Sequence, residues 1–553
     1  MSGKRVGKIS LAIMIVALLG TVAFRGPGDN YFAIAKNLDI FATLFKEVNT
    51  YYVDEVNPNT LIKTGIDAML RSLDPYTNYI PEDDIEDYRT MTTGQYGGIG
   101  AVIGKRNGKS MVLMPYKGFP AEKGGLKIGD EILTVDGVDV ADKSVEDISK
   151  LLKGQANTDL IVKVKRYGTD EPIDINIKRE RITVENVPYY GMVTEDIGYI
   201  KLSNFTTGAG REVENAVKKL KSEGAKKLVF DVRDNPGGLL SESVNVSNVF
   251  VPKGSEVVST KGKVKDWNKT YSAINSPTDT EIPLVVLTSS RSASAAEIVS
   301  GVMQDYDRAV LVGERTFGKG LVQATRPLTY NSQLKVTTAK YHTPSGRCIQ
   351  AVDYSHRNED GSVGKIADSL KTAFKTKNGR IVYDGGGIKP DIEVKQSRLH
   401  PISISLYTKS LIFDYATEYY YSHPELDAAN EFELKDEEYA TFTTWLKNKD
   451  YDYVTEVEQT IDNLIETAKD EKYYLDIEEQ IVSLRKKVQH NKEQDLQKFK
   501  DEIKELLEEE IATRYFLSEG KIEASFDEDQ VLQAAIEVLN DKDKYEAILK
   551  GDQ

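Results

Sequence analysis

The segment between Ile177 and Val394 alternates between β-type and helical stretches, and this alternation constrains the fold more than any other feature. Within it, Gly210–Gly224 has the spacing of an amphipathic helix, and Ile282–Ser290 is a continuous apolar run that leads into serine-rich sequence. Continuous apolar strands are typical of a parallel sheet whose two faces are covered by helices. The pattern therefore predicts a largely parallel β/α domain.

Other patterns flank this domain, as expected for a chain of 553 residues, which is too long for one ordinary core. They predict a multidomain α/β and α+β protein. Separate domains are indicated by three patterns: helical spacing, short β-type runs bounded by glycine, and a long charged helical stretch. The predicted domains are a signal peptide or membrane anchor at 1–27, an N-terminal helical domain at 28–91, a β-rich module at 92–175, a β/α core at 176–396 and a helical C-terminal extension at 397–553.

The N-terminus carries Lys4, Arg5 and Lys8 ahead of an apolar run from Ile9 to Phe24. A basic segment followed by an apolar one is typical of a cleaved signal peptide or of an uncleaved membrane anchor. Both interpretations place the residues that follow outside the cytoplasm.

Charge and cysteine content argue against several classes of function. The formal net charge is −15, whereas nucleic-acid binding needs clustered Lys and Arg. The single cysteine, Cys348, excludes an internal disulfide and a multi-cysteine zinc site. The five histidines form no close cluster, so we expect neither a catalytic metal nor another cofactor.

A serine-rich turn separates the apolar run from a helical segment that begins SASAAEI. Backbone N–H groups at a helix N-terminus lack intrahelical partners and suit a developing oxyanion. The candidate nucleophiles are Ser289, Ser290, Ser292 and Ser294. Serines in this position usually act as helix caps, so a catalytic role depends on a partner base.

Two residues are candidates for that base. His342 would give a Ser-His-Asp arrangement, but a turn, Thr343–Gly346, follows it at once. Lys319 lies among glycine and apolar residues, and a lysine base requires burial to lower its pKa from about 10.4. If this segment is extended, Gln323 faces the same way as Lys319 and could hold its amine in line with the serine.

Two glycine turns complete the set of motifs. Gly313–Gly320 differs at one position from the phosphate-binding pattern GxxxxGK[ST], but the sequence after it is β-type and contains Pro327, whereas that loop must open a helix. The second turn, Asp231–Gly238 (DVRDNPGG), follows a strand and exposes backbone N–H groups. Beside a nucleophile it becomes a candidate oxyanion hole.

Together these motifs resemble those of the C-terminal processing peptidases, also called tail-specific proteases. FDVRDNPGG, SASAAEI and GERTFGKGLVQ resemble the protease domain of that family, and YGGIGAVI with GFPAEKGGLKIGDEILTVDG resembles its PDZ domain. The resemblance implies a PDZ domain at 92–175, a serine protease core at 176–396 and a Ser-Lys dyad assisted by glutamine. The implied catalytic residues are Ser294, Lys319 and Gln323, and the implied oxyanion hole uses Ala295 and Gly237 or Gly238.

The resemblance also implies how substrates are recognised. PDZ domains hold a peptide as an added strand and bind its terminal carboxylate with backbone N–H groups. The residues that match this loop are Gly97, Gly98, Ile99 and Gly100. The expected partners are proteins or peptides with accessible C-terminal tails. The protein itself is expected in a bacterial cell envelope, in the periplasm or another extracytoplasmic location, and anchored to the inner membrane if its N-terminal segment is uncleaved.

Two other functions stay open at this point. A PDZ scaffold with a degenerate protease fold would lack activity, although Ser294, Lys319 and Gln323 together argue against it. An assembly factor would act through the C-terminal helices. The N-terminal and C-terminal helical regions are also the expected surfaces for a homo-oligomer or an adaptor.

Overall fold

The computed structural model describes residues 28–358, 360–395, 398–426, 428–488 and 492–551. The predicted signal peptide or membrane anchor at residues 1–27 lies outside the described residues. Within those residues, no helix has the length and apolar character needed to cross a membrane. The described residues form two compact units, and the smaller one consists of residues 28–80 together with Thr325–Val336.

From residue 28 to residue 80, the smaller unit contains the helices α1 (Gly28–Tyr51) and α2 (Pro58–Arg71) and the strand β1 (Asn78–Ile80). Asn57 starts α2, because its side-chain oxygen accepts the N–H groups of Asn59 and Thr60. The helical domain predicted at 28–91 is divided at residue 80, since the next helix, α3 (Ile85–Thr93), belongs to the larger unit.

The β-rich module contains two short helices, α4 (Pro120–Lys123) and α5 (Val145–Leu152). Its strands are β2 (Gln95–Gly98), β3 (Ala101–Arg106), β4 (Lys109–Pro115), β5 (Glu131–Val135), β6 (Val138–Asp139), β7 (Asp159–Lys165), β8 (Ile173–Lys178) and β9 (Glu180–Thr183). One sheet has the order β3-β4-β5-β7-β8, with β6 beside β5, and a second pairs β2 with β9. Because Gln95 at the start of β2 faces Thr183 at the end of β9, the module continues past residue 175.

The β/α core contains a six-stranded sheet in the order β10-β11-β12-β15-β16-β21. These strands are β10 (Tyr189–Met192), β11 (Ile197–Lys201), β12 (Lys227–Asp231), β15 (Leu284–Thr288), β16 (Val310–Gly313) and β21 (Ile392–Glu393). The pairs from β11 to β21 are parallel and only β10 is antiparallel, as the strand–helix alternation predicted. One face of the sheet packs against α6 (Ala209–Glu223), α7 (Leu240–Phe250) and α8 (Ala295–Asp305).

The remaining strands of the core are antiparallel. They are β13 (Glu256–Gly262), β14 (Lys269–Ser272), β17 (Leu321–Pro327), β18 (Gln333–His342), β19 (Ala373–Lys375) and β20 (Ile381–Tyr383). β17 and β18 form a hairpin, and β18 also pairs with β13. The outer end of β18 pairs with β1 within the smaller unit, where Asn78 faces Lys335.

The C-terminal extension is helical, as predicted. Its helices are α9 (Pro401–Thr408), α10 (Leu411–Ser422), α11 (Asp436–Leu446), α12 (Glu456–Asp470), α13 (Tyr474–Val488), α14 (Lys492–Lys498), α15 (Lys500–Ala524), α16 (Gln530–Asn540) and α17 (Lys542–Lys550). Leu517 interrupts α15 with a non-helical backbone, φ 57° and ψ −142°. α9, α10, α11, α14 and α15 share an apolar core of their own.

The last two helices do not belong to that separate core. Val531, Leu532 and Ala535 of α16 and Ile548 of α17 pack against the second face of the parallel sheet. Successive strand residues point to opposite faces, so Phe230 packs under α6–α8 while Val229 packs under α16. The sheet is covered on both faces only because the chain returns to it at its C-terminus.

The C-terminal helices also contact the β-rich module. Gly129 approaches the side chain of Thr417, the ring of Tyr167 lies 5.5 Å from that of Tyr421, and Lys117 forms an ion pair with Glu519 at 2.7 Å. The extension therefore connects the module to the core instead of extending away from both.

The packing of α16 predicts a large effect of core truncation there. Leu532 is fully buried, so Leu532→Ala should destabilise the protein by about 2–5 kcal/mol through lost burial and a cavity. Glu537→Ala, at an exposed position of the same helix, should change stability by no more than about 0.5 kcal/mol. Urea unfolding followed by circular dichroism compares the two variants, and equal midpoints would contradict the packing described.

Candidate active site

Ser294 lies at the turn between β15 and α8. Its backbone has φ 55° and ψ −112°, a conformation that residues with a side chain rarely adopt. Such strain persists only where neighbouring contacts enforce it, and it often marks functional sites. Ser294 is half-buried.

The other serines of the turn have structural partners. The buried Ser292 hydroxyl donates to the Val232 carbonyl at 2.8 Å and accepts the Ser289 N–H at 2.9 Å. The Ser289 hydroxyl donates to Asp234 at 2.9 Å. These bonds attach the serine turn to the end of β12. Because the Ser292 hydroxyl has structural partners, they favour Ser294 over Ser292 as the nucleophile, a choice that sequence spacing alone left open.

Glu297, in the first turn of α8, connects the two predicted catalytic residues. Its Oε2 accepts the backbone N–H of Ser294 at 2.9 Å and that of Lys319 at 2.8 Å. Its Oε1 accepts the Thr316 hydroxyl at 2.6 Å and the Gly318 N–H at 2.7 Å. The backbones of the predicted nucleophile and base are therefore held by one oxygen atom.

The Glu297 side chain is fully buried. Burial raises the pKa of its carboxyl, and the four hydrogen bonds, which favour the charged form, oppose that rise. All four partners donate, which fits an ionised carboxylate because that group only accepts.

The loop that carries Lys319 is attached to its surroundings by further backbone bonds. The Phe317 N–H donates to the Ser292 carbonyl at 3.0 Å, and the Tyr341 hydroxyl donates to the Lys319 carbonyl. Lys319 itself is half-buried. The loop then enters β17, so a helix does not follow it and a phosphate-binding loop is excluded.

Gln323 lies in β17, beyond the loop. Its amide nitrogen donates to the Leu321 carbonyl at 3.2 Å and to the Thr337 hydroxyl at 3.3 Å. Both acceptors belong to the β17–β18 hairpin. The structure thus brings Ser294 and Lys319 to a common carboxylate, whereas the hairpin holds the Gln323 amide nitrogen.

The glycine turn after β12 lies against the serine turn. The Gly237 N–H donates to the Asn235 side chain at 2.8 Å, which occupies this donor in the present conformation. The N–H groups of Ala295 and Gly238 have no hydrogen-bond acceptor among the residues described. Of the predicted oxyanion donors, these two are therefore the stronger candidates, because the Gly237 N–H already has an acceptor.

Gly237 is needed for the close approach of the two turns. Its φ is +95°, and an added Cβ would lie 2.7 Å from the Ala293 carbonyl oxygen, 2.8 Å from the Ala295 nitrogen and 2.8 Å from Ser294 Cβ. Distances under about 3 Å to backbone atoms cannot be relieved by a side-chain movement. The absence of a side chain at 237 therefore allows the glycine turn after β12 to lie in close contact with the turn that carries Ser294.

His342 lies at the end of β18, where it faces Ser259 of β13 and forms a bridge with Cys348. Burial lowers the pKa of its imidazole, and Lys261 and Lys340 lower it further. Lys319, and not His342, shares the Glu297 carboxylate with Ser294. Within the described ranges, no group of three or more His, Cys, Asp or Glu side chains could hold a metal ion.

The predicted tail-binding loop follows β2. Ile99 is buried, and its carbonyl accepts the Ala121 N–H at 2.8 Å, while the Gly100 carbonyl accepts the Tyr116 N–H at 2.8 Å. The N–H groups of Ile99 and Gly100 find no acceptor in the part of the chain that is described. They are therefore the candidate donors for a carboxylate, which is the ligand that this loop binds in PDZ domains.

Glu297 and Asn235 are the site residues to which sequence reasoning assigned no role. Both lie inside the motifs that were recognised, SASAAEI and DVRDNPGG. A glutamate three positions after a helix-capping serine is a capping-box signal, and this signal could have indicated Glu297.

Comparisons with known proteins agree with this architecture. Family models match for Peptidase family S41 over residues 196–355, for a PDZ domain over 112–166 and for "Probable PDZ-protease, C-terminal helical domain" over 402–539. The chain is 35% identical over 351 residues to a carboxy-terminal-processing protease of Bartonella bacilliformis, a match that covers 63% of this chain and 79% of that protein. It is 36% identical over 344 residues to the "Probable CtpA-like serine protease" of Staphylococcus aureus, with 61% and 68% covered.

Among solved structures, the photosystem II D1 C-terminal processing protease is similar with a TM-score of 0.35 and 27% identity, covering 64% of this chain and 92% of that one. The domains and the sequence relatives define a serine-type peptidase with a PDZ domain, and the predicted fold class is confirmed. The chain belongs to the carboxy-terminal-processing protease family, peptidase family S41.

The contact at Gly237 predicts a specific loss of activity. Gly237→Ala places a methyl group against the nucleophile turn and should reduce proteolysis by about 10²–10³-fold, the effect of losing one oxyanion donor. Gly254→Ala is the matched control, because Gly254 has φ +90° but open space around it. Cleavage assays on both purified variants make the comparison, and equal activities would contradict the role given to the close approach at 237.

Proposed function

We propose that this chain is a serine endopeptidase of the bacterial cell envelope that recognises the C-terminal tails of its protein substrates and cleaves them with a Ser294–Lys319 dyad. The observation that carries the proposal is the sharing of Glu297 Oε2 by the backbone N–H groups of Ser294 and Lys319. An oxygen that fixes both backbones limits the positions of both side chains, and nucleophilic catalysis depends on such orientation.

The proposed reaction has two steps. Neutral Lys319 takes the hydroxyl proton of Ser294 while Oγ attacks the peptide carbonyl, and the N–H groups of Ala295 and Gly238 stabilise the oxyanion. The C–N bond then breaks, and Lys319 returns the proton to the leaving amine. Water attacks the acyl-enzyme, again with Lys319 as base, which releases the second product and restores Ser294.

The PDZ domain supplies the proposed tail specificity. The N–H groups of Ile99 and Gly100 would bind the terminal carboxylate of the substrate, and the tail would add as a strand beside them. The basic and apolar N-terminal sequence supports a location outside the cytoplasm, either through a cleaved signal peptide or through a membrane anchor.

A nucleophile at 294 predicts a sharp contrast between two serines of the same turn. Ser294→Ala should abolish cleavage of a model protein with an unstructured apolar tail, because no other residue forms the acyl-enzyme. Ser290→Ala should keep wild-type activity, since Ser290 is exposed and only its backbone N–H bonds to Glu314. Fragment formation followed on gels measures both, and equal processing by Ser294→Ala and wild type would refute the assignment.

A lysine base predicts that activity rises with pH. Lys319 accepts a proton only when neutral, so kcat/KM should fall as pH drops through its pKa in the free enzyme. The measurement is the initial cleavage rate from about pH 5 to 9, a range below the usual lysine pKa of about 10.4. A rate that stays flat across this range, with the protein folded throughout, would contradict a lysine base.

Tail binding predicts a dependence on the substrate's terminal carboxylate. Amidation of the C-terminus removes the charge that the loop would bind, so kcat/KM should fall by about tenfold to a hundredfold, as expected for lost charge-assisted hydrogen bonds. Acetylation of the N-terminus of the same peptide is the control and should change little. Equal turnover of the free and amidated peptides would argue against tail recognition by the PDZ domain.

A further inference from the structure

A buried group of charged residues lies at the end of β12, and no step of the proposed reaction uses it. The members come from three separate parts of the chain: Tyr199 and Lys201 of β11, Asp231 and Arg233 at the end of β12, and Asp529 immediately before α16. Asp231 is fully buried, and the side chains of Arg233 and Asp529 are 11% and 16% exposed.

Arg233 is the centre of this group. Its guanidinium bonds to Asp231 Oδ2 through Nε at 3.0 Å and Nη2 at 2.7 Å. The same guanidinium bonds to both oxygens of Asp529, through Nη1 at 2.9 Å and Nη2 at 2.6 Å. A planar guanidinium held by two carboxylates has little freedom to rotate.

The group is balanced in charge. Arg233 and Lys201 carry two positive charges, and Asp231 and Asp529 carry two negative ones. Burial would raise the pKa of the Asp231 carboxyl, but Arg233 and Lys201 beside it hold that pKa well below its usual range. Removal of either carboxylate would leave an excess positive charge in a buried place, which is costly.

Asp529 is positioned by the docking of α16 on the sheet. Its Oδ1 accepts the N–H groups of Val531 and Leu532 and so caps this helix. Leu532 packs on the sheet, and the ring of Phe526, just ahead of the cap, lies 5.2 Å from that of Tyr199. The carboxylate that faces Arg233 thus comes from a residue 296 positions later in the sequence, and its position depends on the packing of α16.

Arg233 begins the turn that supplies the proposed oxyanion donor. Its backbone N–H donates to Asp231 at 2.7 Å, and its carbonyl accepts Lys201 Nζ at 3.1 Å. Two residues later, the Asn235 carbonyl accepts the Ala293 N–H at 2.9 Å, and the turn then reaches Gly238. A displacement of Arg233 would therefore move the turn relative to Ser294.

We propose that Asp529, a residue of the C-terminal helical extension, is a positioning residue of the protease: through Arg233 it sets the turn that presents the Gly238 N–H to the reaction. The inference rests on the proposed function, because it takes that N–H as an oxyanion donor. It makes the segment around α16 a part of the catalytic core, although the Peptidase family S41 match ends at residue 355.

The test compares Asp529→Ser with Asn540→Ala in the full-length protein. Asp529→Ser keeps a side-chain oxygen that can cap α16 but removes the carboxylate from Arg233. Asn540 ends the same helix and binds Lys227 at the opposite end of β12, at 2.7 Å, so Asn540→Ala removes a docking contact without touching the turn. Asp529→Asn, which is isosteric, is measured beside Asp529→Ser in case the serine variant does not fold.

Asp529→Ser should lower kcat by about tenfold to a hundredfold, part of the 10²–10³-fold effect of one oxyanion donor, and should change KM by less than about twofold. A peptide boronic acid forms a tetrahedral adduct with an oxygen in the oxyanion hole, and its affinity should fall by the same factor as kcat. Asn540→Ala should keep kcat and boronate affinity within about twofold of wild type.

The inference is overturned if Asp529→Ser and Asp529→Asn keep wild-type kcat and boronate affinity, or if they lose no more than Asn540→Ala. It is also overturned if KM rises while kcat is unchanged, because that would indicate an effect on substrate binding. A failure of the proposed function is recognised separately: Ser294→Ala would then cleave as fast as wild type.

Discussion

The active site depends on the Glu297 carboxylate, which receives four hydrogen bonds in a place without solvent contact. Two of the donors are the backbone N–H groups of the predicted nucleophile and the predicted base. An isolated buried charge is costly, so the carboxylate is stable there only while its donors stay in place. The bonds to Glu297 in turn hold the strained backbone of Ser294 and keep the backbone of Lys319 beside the serine turn.

The second constraint is the need of a parallel sheet for cover on both faces. The helices that follow its own strands cover one face, and α16 covers the other with residues such as Leu532. The chain has to leave the core, build the helical extension and return. The same helix carries Asp529 to Arg233, so the packing requirement and the geometry of the oxyanion turn are linked. The extension also contacts the PDZ domain, for example through Lys117 and Glu519, and so joins the domain proposed to bind tails to the core that cleaves.

The strand and helix order of the core could be predicted from sequence because each element has its own periodicity, as Ile282–Ser290 illustrates. Local motifs at the ends of strands indicated the serine-rich turn and Lys319, and the family resemblance selected Ser294 among the serines of that turn. Contacts between distant residues could not be predicted in this way. The use of the Gly237 N–H by Asn235, the placement of the Gln323 amide in its hairpin and the pairing of Asp529 with Arg233 all depend on tertiary packing, which no local pattern records.

The most direct test of the account is the single-turnover cleavage rate of Glu297→Gln against that of Glu314→Gln. Glutamine at 297 has one acceptor oxygen for four donors, so one pair of donors would face its amide nitrogen. Glu314 lies in the loop that carries Lys319 and accepts the Ser290 N–H at 3.3 Å. Its carboxylate makes no bond to the backbone N–H groups of Ser294 or Lys319, which Glu297 accepts. The account predicts that Glu297→Gln loses about a hundredfold or more in rate, while Glu314→Gln stays within about threefold of wild type. Cleavage by folded Glu297→Gln at the wild-type rate would contradict it.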